Sequence, residues 1–529
     1  MFTISTLVLL LFGCATEGYK ILIFFPTPSF SHQQPAMVLT EALIKRGHEL
    51  FVVSPNVVPG LENNYTFVNL SDSYWLLQRG EGKHEGGINL QKQWDKWEFW
   101  KEAQAFAYIP VYQFKMKEFV DFQRRVKDEN IKFDVIISEA FFMPFTCAMS
   151  RYLNGEGGKP IITMSTLSID YLNENFLGSK VHLSYVPSIM DPYTDRMTLW
   201  QKIDNWYSIY VMLSTFKTNA EQKAREFFSE NYGPAATALI DGCWSNASLA
   251  MLSTNMLYFY PRQLAPNVIE LGPMHIRNPE KLPQNLQEWL DGAADGVIYF
   301  SLGSNMKSKS LPLDVRANLL RVFKDLPSGY RVLWKWELDG KIPGQSDNIL
   351  AQKWLPQQSV LAHPKVKAFV TQGGLQSFQE AVHYGVPTVG VPYFADQESI
   401  VAKMVDAGIG ARLRPQELGS YEKVKSVFEE VLFTKSYAAN MKRHSLISRD
   451  FTPHSVERGV FWVEHVARHG GAAHLRPSTA DATFFEYFCL DILSVILAVG
   501  LVVAVIGISV LRRLVSAVAQ SSGTKIKKS

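Results

Sequence analysis

"FVTQGGLQSFQEAVHYGVPTVGVPYFADQ", Phe369 to Gln397, is the stretch that decides the fold of this chain. An apolar run stops at Gly373–Gly374, a helix-like segment follows, and Pro387 opens a second apolar run before Asp396 and Gln397. Strand, tight turn, helix and strand in that order predict a βαβ unit with parallel strands buried on both faces. Glycines after the first strand permit a tight turn without side chains. Unpaired N–H groups at the helix start then form an anion site. A glycine turn before a helix is common for structural reasons alone, so function must be sought in the neighbouring residues.

Working outward, the same alternation runs along the chain twice. The first series contains "YKILIFFP", "ELFVVSP", "FDVIISEAF", "KPIITMS" and "LAMLSTN", with helix-like segments such as "QPAMVLTEALIKRG" between them. The second contains "NVIELGP", "GVIYFSLGS", "YRVLWKWE", "NILAQKWLP", "VKAFVTQGG" and "VPTVGVP". Short apolar strands between helices predict an α/β protein of two doubly wound domains, residues 19–262 and 267–470, joined near Pro261–Asn267. After Tyr437 the chain turns helical, and these late helices are expected to close the structure by packing back on the first domain. In such sheets ligands collect beyond the carboxyl ends of the strands, so the loops there are where chemistry is expected.

Composition excludes several classes. The 529 residues carry a formal net charge of only +3, without a basic stripe interleaved with aromatics, so nucleic acid is not an expected partner. Four cysteines do not make a disulfide scaffold. With Cys14 and Cys489 near the ends, Cys147 and Cys243 remain in the body, and pairing between them is left open. No G-x-G-x-x-G follows a strand near the start of either domain, which argues against a nicotinamide-dependent oxidoreductase.

Both ends suggest a membrane. Residues 1–18 hold an apolar stretch, Leu7 to Phe12, followed by small residues, and resemble a secretory signal lacking its basic start. Ile492 to Leu511 is uncharged and about the ~20 residues that a spanning helix needs. Arg512 and Arg513 follow at once, so the expected arrangement is single-pass type I: a span at 490–511, a cytoplasmic basic tail at 512–529 and the body in the lumen. The ending "KIKKS" resembles a dilysine retrieval signal for the endoplasmic reticulum, and sequons at Asn64, Asn69 and Asn246 suit a luminal glycoprotein.

Around the glycine loop stand residues that are ordinary one by one. Trp354 could offer a ring face to a planar base, and Glu380 could hold a pair of vicinal hydroxyls. Asp396 and Gln397 could read sugar hydroxyls. Taken singly, each is better read as a core aromatic, a surface acid or a helix cap. Together they describe a nucleotide sugar. From Trp354 to Gln397 the sequence resembles the donor-binding signature of the UDP-glycosyltransferase family, with F-V-T-Q-G-G-x-x-S-x-x-E, P-x-x-x-x-P and D-Q at matching intervals. "VIYFSLGSN" and "WVEHVARHGGAAHLRP" extend the likeness over nearly the whole chain, toward animal, membrane-bound, arthropod-like members.

The resemblance implies two facing Rossmann-like domains of GT-B type with a C-terminal transmembrane helix, the acceptor bound by the first domain and UDP-sugar by the second. Carried over by position, Trp354 would stack on uracil, while Gln357 and Glu380 would contact the ribose. Ser304 and the turn Gly374, Leu375, Gln376, Ser377 would meet the diphosphate, and Asp396 and Gln397 would bind the transferred sugar. Most members have His where this chain has Gln372, which can donate a hydrogen bond to phosphate without adding charge. His363 is read as structural.

Transfer to a hydroxyl needs a base, and His32 lies just past the first strand, where the family's catalytic His stands. Glu139, after "FDVIIS", is its expected acidic partner where many relatives have Asp, with Asp134 as the fallback. No D-x-D pair occurs, so neither a metal nor a permanently bound cofactor is expected, and UDP-sugar enters as donor substrate. The family implies inversion at the anomeric carbon, a hexose donor with glucose favoured by analogy, and a small lipophilic acceptor bearing a hydroxyl, as in detoxification.

Trp94, Trp97, Trp100 and Phe106 fall close to helical spacing. They are read as a buried or amphipathic helix face, or as the lining of an acceptor pocket or a membrane contact. A homo-oligomer is compatible with all of this. The competing reading is a non-catalytic UDP-sugar-binding membrane protein, against which His32 and Glu139 stand.

Overall fold

The computed structural model describes residues 18–78, 90, 93–155 and 157–526. The expected signal segment through residue 17 and the terminal Lys527 and Lys528 lie outside the described residues. Among the described residues, thirteen short strands form two wholly parallel sheets. The first comprises β1 (Lys20–Phe24), β2 (Glu49–Ser54), β3 (Thr66–Asn69), β4 (Val135–Glu139), β5 (Ile161–Ser165), β6 (Ala247–Leu252) and β7 (Val268–Glu270), in the order β3-β2-β1-β4-β5-β6-β7. The second comprises β8 (Gly296–Phe300), β9 (Tyr330–Lys335), β10 (Ile349–Gln352), β11 (Val366–Thr371), β12 (Thr388–Gly390) and β13 (Gly410–Arg412), in the order β10-β9-β8-β11-β12-β13. Each is doubly wound: the order reverses between β1 and β4 in the first sheet and between β8 and β11 in the second. Those reversals open crevices at the strands' carboxyl ends, where a ligand can enter between diverging helices.

Continuous apolar strands follow from burial on both faces. Ile21, Ile23, Ile137 and Ile162 pack to one side of the first sheet with Leu39 of the helix Phe30–Lys45. Leu22, Phe24 and Ile136 face the other side, with Phe114, Phe119 and Phe145. The helix Met143–Asn154 on that side carries Cys147, which is joined by a disulfide to Cys243 just ahead of β6. This settles the pairing left open by sequence. Phe300 and Trp334 pack in the core of the second sheet with tilted rings, their centroids 4.4 Å apart.

Two expectations need correction. The sequence places Val268–Glu270 in the second domain, but it pairs in parallel register with β6, Ala250 opposite Val268, and so forms the edge of the first sheet. Its apolar "VIE" core reads the same for either sheet; only its partner tells them apart. The chain therefore crosses between the sheets after Glu270, and the boundary at 267 falls one strand early. The late helices also divide. Lys435–Phe451 stays on the second domain, with Met441 against Leu375 and Phe378. Ser455–His469 returns to the first, where Val460, Val463 and Val466 cover Ile21 and Val135.

The tryptophan-rich segment likewise does not form one face. Trp94 precedes the helix Lys96–Ala103, which Asp95 caps, and its ring meets Phe394 of the second domain at 5.8 Å. Trp97 and Trp100 turn instead to Tyr207 and Phe216 of the long helix Leu199–Tyr232.

Residues 477–529 form a separate unit. It contains the 37-residue helix Leu490–Ile526, which is long and apolar enough to cross a membrane over Leu490–Ser521.

The disulfide closes a loop of 96 residues. Restricting the unfolded chain over such a span stabilises a fold by about 2–4 kcal/mol. Replacing Cys147 and Cys243 with Ser together should lower the thermal unfolding midpoint of the first domain by that equivalent, measured by circular dichroism, and adding reductant to the variant should change nothing further.

Candidate active site

The two crevices face each other across one cleft. Ser29, after β1, and Asn305, after β8, hydrogen-bond side chain to side chain, with Asn305 Nδ2 donating to Ser29 Oγ at 2.9 Å. Gln376 Nε2 donates to the carbonyl of Thr166 at 3.3 Å, and Gln379 Nε2 to that of Ser253 at 2.8 Å, so the second domain's glycine-loop helix rests on strand ends of the first.

On the first-domain side, His32 lies in the first turn of the helix Phe30–Lys45 rather than in the loop before it. Gln33 ties this turn down by donating to the carbonyls of Phe25 and Thr27 at 2.8 and 2.7 Å. Glu139 closes β4, and its carboxylate is buried. One oxygen accepts the Thr27 N–H at 3.0 Å, and the other stands 3.2 Å from His32 Nδ1. The fixed carboxylate therefore orients the ring with Nδ1 as donor, leaving Nε2 as the basic nitrogen. Thr166, which sequence reasoning did not single out, completes the cradle with its hydroxyl 3.0 Å from the same Nδ1. A lone Thr after "KPIITMS" carries no pattern by which it could be found. Asp134 sits at the opposite end of the sheet and accepts the Lys20 N–H at 2.8 Å, which leaves it out of the site.

On the second-domain side, β11 ends at Thr371 and the helix Leu375–Tyr384 begins after Gly374, whose position offers no side-chain cap. Its first N–H groups are thus open to a ligand, at the positive end of the helix dipole. Gly373 is required twice over. Its φ of +91° lies in the left-handed region, and a Cβ there would come within 2.7 Å of Val401 Cγ2. The Gln372 amide lies between this turn and the turn at Gly303, close enough that a Cβ on Gly303 would collide with it at 2.6 Å. Its Oε1 is buried and has no hydrogen-bond partner. Ser304 follows Gly303 in the same turn, half-buried.

Glu380 is buried one turn further along and already engaged. Gln357 Nε2 donates to one oxygen at 2.6 Å, while Gln358 Nε2 and His275 Nε2 stand 3.3 and 3.4 Å from the other. Gln357 also donates to Ser377 Oγ at 3.0 Å and accepts from the Tyr299 hydroxyl at 3.1 Å, so Gln357, Ser377 and Glu380 form one fixed polar cluster. Trp354 stands at the rim, 60% exposed, edge-on to Phe30 at 5.8 Å. Lys335, another residue that sequence reasoning missed, lies 5.4 Å from its ring centre and donates to the carbonyl of Gly303 at 2.8 Å. Burial holds the Lys335 amine below its usual pKa.

The Asp396–Gln397 loop closes the row. Ala395 is held at φ +57°, a conformation that a non-glycine residue adopts only when its surroundings enforce it. Gln397 supplies that enforcement by accepting the Tyr393 and Phe394 N–H groups at 2.8 and 3.3 Å. The amide expected at a sugar is thus also the loop's own brace. Asp396 makes no cap bond to the helix it precedes, and burial pushes its carboxyl up to about 6 although His32 draws it down. His363 is structural: it is buried and bonded to Asp291 at 3.1 Å and Gln287 at 2.9 Å.

The cleft therefore faces an oriented imidazole toward an anion cradle, an open aromatic face and two groups of sugar-compatible polar side chains. No cluster that could hold a metal ion is found among the described residues.

Similarity to known proteins agrees with this geometry. Residues 20–525 match the family described as "UDP-glucoronosyl and UDP-glucosyl transferase". UDP-glycosyltransferase UGT4 of Dactylopius coccus is 29% identical over 496 residues, covering 92% of this chain and 93% of its own. UDP-glucuronosyltransferase 2B18 of Macaca fascicularis is 29% identical over 499 residues, covering 90% of each. Among solved structures, a UDP-glucosyltransferase of Polygonum tinctorium, described as capable of glucosylating indoxyl, superposes with a TM-score of 0.55 at 15% identity, over 88% of this chain and 99% of its own. That likeness shows the GT-B fold, and the family match across nearly the full length shows more: this chain is a member of the UDP-glycosyltransferase family.

Proposed function

We propose that the protein transfers a hexose, with glucose the expected donor, from UDP-sugar to a hydroxyl of a small lipophilic acceptor, inverting the anomeric centre, with His32 as general base. The observation that carries this is the buried Glu139 carboxylate 3.2 Å from His32 Nδ1, facing the uncapped helix start across the cleft. His32 Nε2 takes the acceptor's hydroxyl proton as its oxygen attacks the anomeric carbon. The bond from that carbon to the diphosphate breaks, and the charge gathering on UDP meets the N–H groups of Leu375, Gln376 and Ser377. Glu139 steadies the imidazolium without itself taking the proton.

Trp354 stacks the uracil, Gln357 and Glu380 hold the ribose, and Ser304, Gln372 and Gly374 line the diphosphate. Asp396 and Gln397 receive the sugar. Gln372 suits its place because its buried amide lacks a partner, and turned over it would present Nε2 to a phosphate oxygen. A metal is not needed, since the charge is met by dipoles already in place.

We also propose that the helix Leu490–Ile526 anchors the chain in the endoplasmic reticulum membrane, with the body luminal and the basic tail cytoplasmic. Arg512 and Arg513, which end the uncharged run Ile492–Leu511 within that helix, support that direction, as do the exposed sequons at Asn64 and Asn69.

Purified full-length protein incubated with labelled UDP-glucose and a panel of phenols should release UDP and form glucosides. His32→Ala should lower kcat by about 10²–10⁴-fold. UDP release that persists in His32→Ala would contradict the mechanism, and donor binding without turnover in the native protein would favour a non-catalytic binder.

The Asp396 carboxyl yields a second prediction. Its folded pKa of about 6 lies above the ordinary 3.8, so its contribution to stability is fully present below about 3.8 and is lost as pH rises through about 6. Asp396→Asn should therefore raise the unfolding midpoint at pH 7.5, by the equivalent of at most about 3 kcal/mol, with the gain shrinking toward pH 4. The same variant should lose sugar transfer at least tenfold, because the carboxylate that costs stability is the one placed for the hexose.

A further inference from the structure

His275 lies on the stretch that carries the chain from the first sheet to the second, and sequence reasoning passed over it. Met274, just before it, belongs to the first domain's core with Leu39 and Val460. Just after it the backbone is stitched to the second domain. Gln358 accepts the Arg277 N–H at 2.9 Å and donates to the His275 carbonyl at 3.0 Å, and the Tyr384 hydroxyl donates to the Arg277 carbonyl at 2.8 Å. Between these attachments the His275 ring is buried against Glu380, 2% exposed. Its Nε2 stands 3.4 Å from one Glu380 oxygen, near enough for a hydrogen bond but not aligned for one, and Nδ1 has no partner among the described residues. A buried donor left unmet costs stability, and an apolar side chain of similar shape would avoid that cost. Packing alone therefore explains this ring poorly.

We infer that His275 is a positioning residue for the donor's ribose, acting through Glu380. The inference rests on the reading of Glu380 as the ribose-binding acid. A carboxylate offers about four lone-pair sites. Gln357 occupies one on the first oxygen at 2.6 Å, and Gln358 occupies one on the second at 3.3 Å. One site per oxygen is left, which matches the two vicinal hydroxyls of a ribose. Glu380 is itself buried, so bulk water cannot settle its charge, and a buried charge needs a partner close by. The His275 imidazole meets that need without filling either remaining site. A ring fully bonded to the same oxygen would compete with the incoming hydroxyl. A ring that was absent would leave the carboxylate to two amides alone. Arg277, two residues on, reaches back to Glu41 at 2.6 Å, on the helix that carries His32. The brace on the ribose acid thus belongs to the segment that joins the domains, and not to the second domain's own sheet.

Full-length protein is titrated with UDP and with 2′,3′-dideoxy-UDP, which lacks the diol. The native chain should bind UDP at least about tenfold more tightly, because the analogue leaves buried polar groups unpaired. His275→Leu, apolar and of similar bulk, should keep a cooperative unfolding transition at an unchanged or higher midpoint. It should nevertheless bind UDP about tenfold more weakly, with its affinity for the dideoxy analogue unaltered. In turnover the loss should appear in KM for UDP-glucose rather than in kcat. His275→Gln, whose amide reaches the place of Nε2, should restore native affinity. His275→Asn, whose amide stops short, should not, and this pair carries the comparison if the Leu variant does not fold. Full discrimination in His275→Leu or His275→Asn, or none in His275→Gln, would overturn the inference. So would equal weakening toward both ligands, the mark of a merely structural role. A native chain that binds UDP and its dideoxy analogue equally would contradict the reading of Glu380 itself, and the inference with it.

Discussion

The open amino end of the helix Leu375–Tyr384 is the constraint on which the site depends. A parallel strand entering a helix leaves several N–H groups without partners, and most proteins cap them with a Ser, Thr or Asp side chain. Here Gly374 occupies the cap position and no side chain fills it. Leaving donors unmet is tolerable only where an anion or water arrives to meet them. The rest of the second domain keeps that end accessible: Gly373 turns the chain without a side chain, and Val401 fills the space behind it. The Gln372 amide then separates the two glycine turns.

The first domain contributes what an anion cradle cannot, the oriented imidazole that we propose as the base. A buried carboxylate is costly unless its oxygens are satisfied. Glu139 meets that condition with one backbone N–H and one imidazole, an arrangement that also fixes the ring's tautomer. The contacts joining the two domains are both polar, as Ser29 to Asn305, Gln376 to Thr166 and Gln379 to Ser253, and aromatic, as Phe30 to Trp354 and Trp94 to Phe394. They hold the His32–Glu139 pair and the open helix start face to face while leaving a cleft between them. Strain at Ala395 and the raised pKa of Asp396 belong to the same pattern, in which stability is given up where the proposed sugar site lies.

Much of this was legible in the residues. Central strands such as "ILIF" and "VIIS" could be read because burial on both faces makes them continuously apolar, and β11 with its glycine turn fixed the second switch point. The short edge strands β3 and β13 escaped notice because three or four residues with one exposed side carry little periodicity. β7 is legible as a strand but not as a member of the first sheet, since pairing is a long-range choice that local pattern does not record. Single positions such as His32 and Glu139 could be named from their place at strand ends together with family resemblance. Thr166 and Lys335 could not, because they enter the cleft through three-dimensional proximity alone. The approach of His275 to Glu380 was equally hidden, because only the fold brings the crossover between the sheets against the glycine-loop helix.

Calorimetric titration of the intact protein with UDP tests the central claim most directly. The account predicts saturable binding, with Kd between about 1 μM and 1 mM, where enzymes commonly set substrate affinity. It also predicts loss of that binding when Trp354 and Glu380 are both changed to alanine in a variant whose unfolding remains cooperative. No heat with the native fold, or an unchanged Kd in the double variant, would contradict it.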